Sequence, residues 1–309
     1  MDMRTVSPAK WIAQAIKADA LRAKSLVMTI FGDSIAPHGG AVWLGSLIEM
    51  LAPFGVNDRH VRTSVFRLTE EGWLESARSG RRSSYAITAD ALKRFGKAYR
   101  RVYAPLEPVW NGYWTLLLAP SSGIAPSKRT SLRKELLWEG FGMLSAGVYA
   151  SPVLEDSVVR DMLDRYGLQD ALFVVQAKDL PGVGGKALAA TVGEAWPLQQ
   201  VKDGYERFTG QFAPLTQTLA GYDVTPEQAF VIRTLLIHEF RRVQLHDPKL
   251  PAELLPADWP GKDAYAICSE IYRKTYAGAE DYLLAVLRRE DEDAVEAAPY
   301  FYERFGGLK

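Results

Sequence analysis

Apolar positions recur every three to four residues along much of the chain, and near residue 73 the pattern changes to a period of two. Val61, Val65 and Leu68 share one face of a segment that opens at Asn57, whose short polar side chain can cap a helix N-terminus. Just before it, Leu44, Leu47, Ile48 and Leu51 predict a short amphipathic helix over Trp43 to Leu51, ended by the breakers Pro53, Phe54 and Gly55. After it, Gly72 stands where a helix C-terminal glycine belongs, and Trp73 to Ala77 and Ser83 to Ile87 read as strands about a Ser79, Gly80 turn. An earlier helix, Ala18 to Phe31, brings Leu21, Val27, Met28 and Ile30 to the packing, with Gly32 and Asp33 ending it and Gly39 and Gly40 shaping the loop beyond. Three helices and a hairpin predict a winged helix-turn-helix over residues 1–104, with a basic connector helix from Asp90 to Tyr103 that stops before Pro105.

The pattern then alternates. Tyr113 to Leu118 predicts a strand, Ser127 to Glu139 a helix, Gly142 to Ala150 one or two strands, Asp156 to Tyr166 a helix and Ala171 to Ala177 a strand. That order suits a ferredoxin-like sheet over residues 105–185. The loop Leu180 to Lys186 leads into a helical region, residues 186–309. There Thr225, Pro226 and Gln228 form an N-cap, a first-turn proline and a capping-box partner for a helix running to His246. Ile232, Leu235, Leu236, Phe240 and Val243 mark its buried side, and Arg241 and Arg242 fall in its last turns. Pro248 to Pro260 crosses to two further helices, Asp263 to Tyr276 and Ala279 to Arg289. The expected class is multidomain α+β.

Composition sharpens this. A chain of 309 residues, 48% of them hydrophobic, can bury two or three cores. Its formal net charge of zero hides segregation: residues 1–104 hold 16 Lys or Arg against 9 Asp or Glu, and the remainder 21 against 28. A basic head on an acidic body is the footprint of a DNA-binding module joined to something that does not touch DNA. Opposite the apolar stripe of the Asn57 helix project Arg59, Arg62, Thr63 and Arg67, placed to read a major groove. Arg78, Arg81 and Arg82 at the hairpin tip, with Tyr85, are placed to hold the backbone or the minor groove, because a guanidinium fork binds phosphate oxygens bidentately. One cysteine, Cys268, excludes an intrachain disulfide, and neither a leader pattern nor a run long enough to span a bilayer is present, so a cytoplasmic protein without membrane contact is expected.

Other chemistry fits poorly. Phe31, Gly32, Asp33 and Ser34 spell the nucleophile motif of GDS-type esterases, but no histidine lies three residues after an aspartate to serve Ser34 as base. His38, His60, His238 and His246 lack the spacing that puts two imidazoles on one helix face, so no metal is expected. The GVGGK stretch lacks the gap and the hydroxyl residue of a phosphate loop. Trp110, Trp114, Trp138, Trp196 and Trp259, with Tyr205, Phe208, Phe212 and Phe240, could line a pocket for an aryl ligand, although each on its own reads as core.

The runs LVMTIFGDSIAPHGGAVWLGSLIEML and RHVRTSVFRLTEEGWLESARSGRRSSYAIT, with LLWEGFG, LLIHEFRRV, DPKLPAELLPADWPG and FYERFGGL following in order, resemble the PaaX family, repressors of phenylacetate degradation operons. The resemblance covers nearly the whole chain. It implies a GntR-like winged-helix DNA-binding domain, a central domain similar to the Cas2 nuclease fold, a helical C-terminal region, and release from double-stranded operator DNA by phenylacetyl-CoA or a related aryl-CoA. A homodimer without resident cofactor is expected. For the effector, Arg241, Arg242, Arg129, Arg133 and Lys128 are the candidate cations, and Trp138 and Tyr205 the candidates for the acyl end. A Cas2-like metal-dependent nuclease is the alternative of another class. At the position where that fold carries its metal-binding aspartate, this chain has Leu118, Ala119 and Pro120.

Overall fold

The computed structural model describes residues 6–18, 22–104, 110–119, 124–152, 156–178, 180 and 188–308. In chain order the elements are α1 (Pro8–Ala18), α2 (Ala23–Ile30), β1 (Ala41–Trp43), α3 (Leu44–Leu51), α4 (Asp58–Glu70), β2 (Leu74–Ser79), β3 (Arg82–Ile87) and α5 (Ala89–Tyr103). Then come β4 (Tyr113–Leu118), α6 (Pro126–Trp138), β5 (Gly142–Ser145), β6 (Val148–Ser151), α7 (Asp156–Tyr166), β7 (Phe173–Lys178), α8 (Leu188–Ala195), α9 (Leu198–Gly221), α10 (Pro226–Gln244) and α11 (Gly261–Leu287). No described helix is long and apolar enough to cross a membrane.

Contacts group the chain into two units. The first takes residues 1–105, 205–244 and 261–309, and the second takes 106–204 and 245–260. Residues 186–309, expected as one helical domain, are therefore divided: α10, α11 and most of α9 cluster with the N-terminal elements.

In the second unit the sheet order is β5-β6-β4-β7, all neighbours antiparallel, which is the ferredoxin-like arrangement. The near-continuously apolar run Leu116 to Leu118 is covered on both faces, Leu117 buried and Leu116 and Leu118 half-buried. One side packs Leu117 and Tyr149 against Leu132 and Leu136 of α6 and Met162 of α7. The other packs Ala150 against Val192 and Trp196, whose indole donates to the Gly140 carbonyl at 3.0 Å. Gly142 lies so close to that ring that a Cβ would come within 2.5 Å of it. Trp110, Trp114 and Trp196 thus serve as core, with ring centroids 5.5 and 6.1 Å apart along the series. The GVGGK stretch lies outside the described residues.

In the first unit, three expectations change. The helix expected from Ala18 begins at Ala23, residues 19–21 lying outside the described set, and it does not stop at Gly32 and Asp33. It continues as a π-helical turn over Phe31–Ile35 and a 3-10 turn over Ala36–His38, and ends at Gly39 in the left-handed conformation (φ 84°). The wide turn points Asp33 and Ser34 inward, where both are buried. The two helices expected on either side of Gly278 are one, α11. A Cβ at Gly278 would sit 3.2 Å from that of Ala229, so the glycine serves close packing of α11 on α10 and is no break.

Inside this unit lies a cluster of ionised groups. Arg233 of α10 has no exposed surface; its Nε is 3.1 Å from Asp33 Oδ2, its Nη1 donates to Glu280 Oε1 at 2.5 Å, and its Nη2 donates to Ser34 Oγ at 3.0 Å. Arg304 donates to the side-chain and main-chain oxygens of Asp33, both at 3.0 Å, and to the Tyr272 hydroxyl. Tyr103 and Tyr272 donate to Asp33 Oδ1 at 2.6 and 3.0 Å. Two carboxylates thus meet two guanidiniums in an aromatic shell, Arg304 lying 4.2 Å from the Tyr103 centroid and 4.5 Å from that of Phe301. Ser34 is no nucleophile: its hydroxyl is buried against Arg233, which ends the esterase reading.

Burial alone would raise the Glu280 carboxyl, but the Arg233 charge and the adjoining His38, 3.0 Å away, outweigh it and hold the group at about 2 against an ordinary 4.5. Such a depressed carboxyl adds stability that is present above its ordinary range and is lost as pH falls toward the folded value. Between about pH 5 and pH 2, Glu280→Gln should therefore lose less stability than the wild type. Arg233→Met, which removes the guanidinium shared by Asp33 and Glu280 and leaves them to Arg304 and His38, should cost about 3 to 5 kcal/mol in urea unfolding at neutral pH.

Candidate nucleic-acid interface

Helix α4 starts as its sequence dictates. The Asn57 side chain accepts from the His60 amide at 3.0 Å, and Val61, Ser64, Val65 and Leu68 are buried. With those four positions fixed inward, Arg59, Arg62, Thr63, Phe66 and Arg67 are exposed. Arg62 is held by Asp58 one turn earlier, Nε to Oδ1 at 2.7 Å, and Thr63 donates to the Arg59 carbonyl at 2.8 Å. Both contacts are exposed and cheap to exchange for another anion or acceptor.

The hairpin β2–β3 closes through Gly80, which takes the positive φ (60°) that a two-residue turn needs. Arg78 and Arg81 are exposed at its end. Two of the residues expected beside them are placed differently. Arg82 stacks on Trp43, 4.6 Å from the ring centroid, and donates to the Glu290 carbonyl at 3.2 Å. Tyr85 is half-buried at the middle of the sheet, because a strand not foreseen in the sequence, β1, pairs Val42 with it and makes β3 central.

Helix α3 has no side-chain cap of its own at Trp43. Glu290, beyond the end of α11, supplies one: its Oε2 accepts from the Ser46 amide at 2.9 Å and lies 3.2 Å from the Ser46 hydroxyl. A carboxylate there satisfies an orphan donor and meets the positive end of the helix dipole. Arg289 adds an ion pair to Glu49. Gly45 makes room, since a Cβ would stand 2.6 Å from Glu290 Oε1.

Comparison with known proteins decides what this arrangement belongs to. The curated Transcriptional repressor PaaX of Escherichia coli (strain K12) is 38% identical over 304 residues, covering 96% of this chain and 94% of that protein. The chain belongs to the PaaX family. Residues 22–91 match the description PaaX-like protein, 107–189 the PaaX protein central Cas2-like domain, and 196–285 the PaaX-like protein C-terminal domain. A solved structure of an uncharacterized protein from Mycobacterium tuberculosis is similar over 83% of this chain and 98% of its own, at 26% identity and a TM-score of 0.50.

In this PaaX-family chain the residues expected at an effector site are not gathered within either unit. Arg241 is engaged structurally: its Nε donates to Thr29 Oγ1 at 2.8 Å and its Nη2 to the Ser25 carbonyl at 2.8 Å, tying α10 to α2. Burial pulls its pKa down to about 10. Tyr205 is buried in the same unit, and Arg242 is exposed beside Glu239, 3.1 Å away. Arg129, Arg133 and Lys128 are exposed on α6 in the other unit, with Lys128 donating to the Tyr166 carbonyl at 3.2 Å and Trp138 half-buried at the helix end.

The Glu290 cap yields a double-mutant test. Gly45→Ala should lower the unfolding free energy by about 1 to 3 kcal/mol, by driving a methyl into the carboxylate. Glu290→Ala should cost about 1 kcal/mol, the worth of a cap. In the double variant the two losses should fall short of their sum, because no carboxylate remains to be displaced.

Proposed function

We propose that this chain is a DNA-binding transcriptional repressor of phenylacetate catabolism genes, a regulator and not an enzyme, and that phenylacetyl-CoA or a related aryl-CoA releases it from its operator. Its N-terminal elements then act as a winged helix-turn-helix: α3 and α4 are the two helices, α4 enters the major groove, and β2–β3 is the wing. The observation that carries this is the outward face of α4, with Arg59, Arg62, Thr63 and Arg67 exposed together over a fully packed inner face. It occurs in a chain similar along nearly all its length to a repressor. Arg78 and Arg81 join them as phosphate contacts, while Arg82 and Tyr85 set the wing's position. Leu118 and Ala119 at the end of β4 offer no carboxylate to a metal, which argues against the nuclease alternative.

Release by a ligand is a coupling of two binding free energies. The aryl-CoA must favour a conformation in which two paired α4 helices no longer match successive major-groove half-sites, and its preference for that form sets the loss of DNA affinity. Two copies are needed for that spacing rule, so the repressor is a homodimer in this reading. The exposed candidates for the CoA phosphates are Arg129 and Arg133 in the second unit or, as a separate choice, Arg242 in the first.

Duplexes enriched by the full-length protein from a random-sequence pool give the test. Phenylacetyl-CoA should release them and free phenylacetate should not; insensitivity to both removes the effector from this account. Arg62→Ala should weaken binding by about 1 to 3 kcal/mol if Arg62 reaches a base edge. Unchanged affinity with an unchanged salt slope would take α4 out of the groove.

A further inference from the structure

Phe66 sits at the centre of the outward face of α4 and is 63% exposed. At about 100° per residue it points away from Val61, Ser64, Val65 and Leu68, between Arg62 on one side and Arg59, Thr63 and Arg67 on the other, with Glu70 one turn further along the same face. A lone exposed apolar side chain on a protein surface is ordinary. This one is set among three arginines, a hydroxyl and the carboxylate of Glu70, on a helix whose buried positions are already filled.

A duplex major groove presents hydrogen-bond donors and acceptors at every base edge and one apolar group, the C5-methyl of thymine. The cations around Phe66 complement the phosphates that flank such a groove, whereas an apolar protein partner would have to desolvate them. We infer that Phe66 packs against the C5-methyl of a thymine in bound DNA and so helps select sequence. This rests on α4 entering the major groove, as proposed above. The arginines supply attraction and hydrogen bonds; Phe66 discriminates by taking one methyl out of water.

The probe is a duplex enriched from the random-sequence pool by the wild-type full-length protein, remade with each thymine in turn replaced by deoxyuracil, which lacks only that methyl. At one position per half-site the wild type should bind the deoxyuracil duplex about four-fold more weakly, the worth of one buried methyl. Phe66→Ala should bind both duplexes equally, and Phe66→Leu, which keeps an apolar contact, should retain a preference for thymine. Because Phe66 is exposed, the variants should melt with the wild type. If Phe66→Ala kept the wild-type sensitivity at every position, or the wild type had none, the assignment would be overturned. Lost self-association in Phe66→Ala, with deoxyuracil sensitivity intact, would assign the ring to a protein contact instead. If the wild type enriched no sequence at all, the DNA-binding reading itself would fail and this inference with it.

Discussion

A guanidinium with no exposed surface must find its countercharge and its hydrogen bonds inside the protein, because leaving either unmet costs several kcal/mol. Arg233 finds its countercharges and two of its hydrogen bonds in two places far apart in sequence: Asp33 and Ser34 on the turn after α2, and Glu280 on α11. Arg304, equally buried, adds the C-terminal turn by binding the same Asp33. Pairing both cations at once requires the turn after α2, α10, α11 and the chain's last turns to be in place together. The wide turn at Phe31–Ile35 follows from this, since it brings two successive polar residues inward where a regular helix end would leave them in water. So does the grouping of the first and last thirds of the chain in one contact unit.

The face of α4 that bears the arginines takes no part in that cluster. Its inner residues pack, its outer ones are left in solvent, and the fold presents them in fixed register. The Glu290 cap and the Arg289–Glu49 ion pair reach the neighbouring α3 from the C-terminal segment, and the Glu290 carbonyl reaches the hairpin by accepting from Arg82. In this PaaX-family chain these contacts give the C-terminal helices a direct mechanical hold on α3 and the β2–β3 hairpin. A shift at the end of α11 would be felt at the start of α3 and at the β2–β3 hairpin without a long relay.

What could be read from the sequence was local. Asn57 caps α4 and Thr225 with Gln228 closes a capping box, each bonding the other at 3.2 Å, because such signals act within one turn. The central sheet was legible for the same reason: its strands are apolar runs bounded by turns and helices. The end of α2 and the continuity of α11 through Gly278 were not, because tertiary demands override the local reading. Gly32 and Asp33 look like a stop unless Arg233 is known to wait for Asp33, and Gly278 looks like a break unless Ala229 is known to press on it. Of the candidate site, the α4 arginines are where periodicity put them, but the role of Arg82 depends on Trp43 and Glu290, and that of Arg241 on Ser25 and Thr29. Phe66 was passed over because an apolar residue in an amphipathic helix reads as core until its angle is set against the other four.

The buried cluster makes α2, α4 and the C-terminal helices one cooperative body. Native-state hydrogen exchange on the full-length protein tests it, comparing wild type with Arg233→Met. The account predicts that amides of α2, α4, α10 and α11 open with one common free energy, and that the substitution lowers protection in all four by the same amount. Loss of protection confined to α10 and α11, with α2 and α4 unchanged, would contradict it.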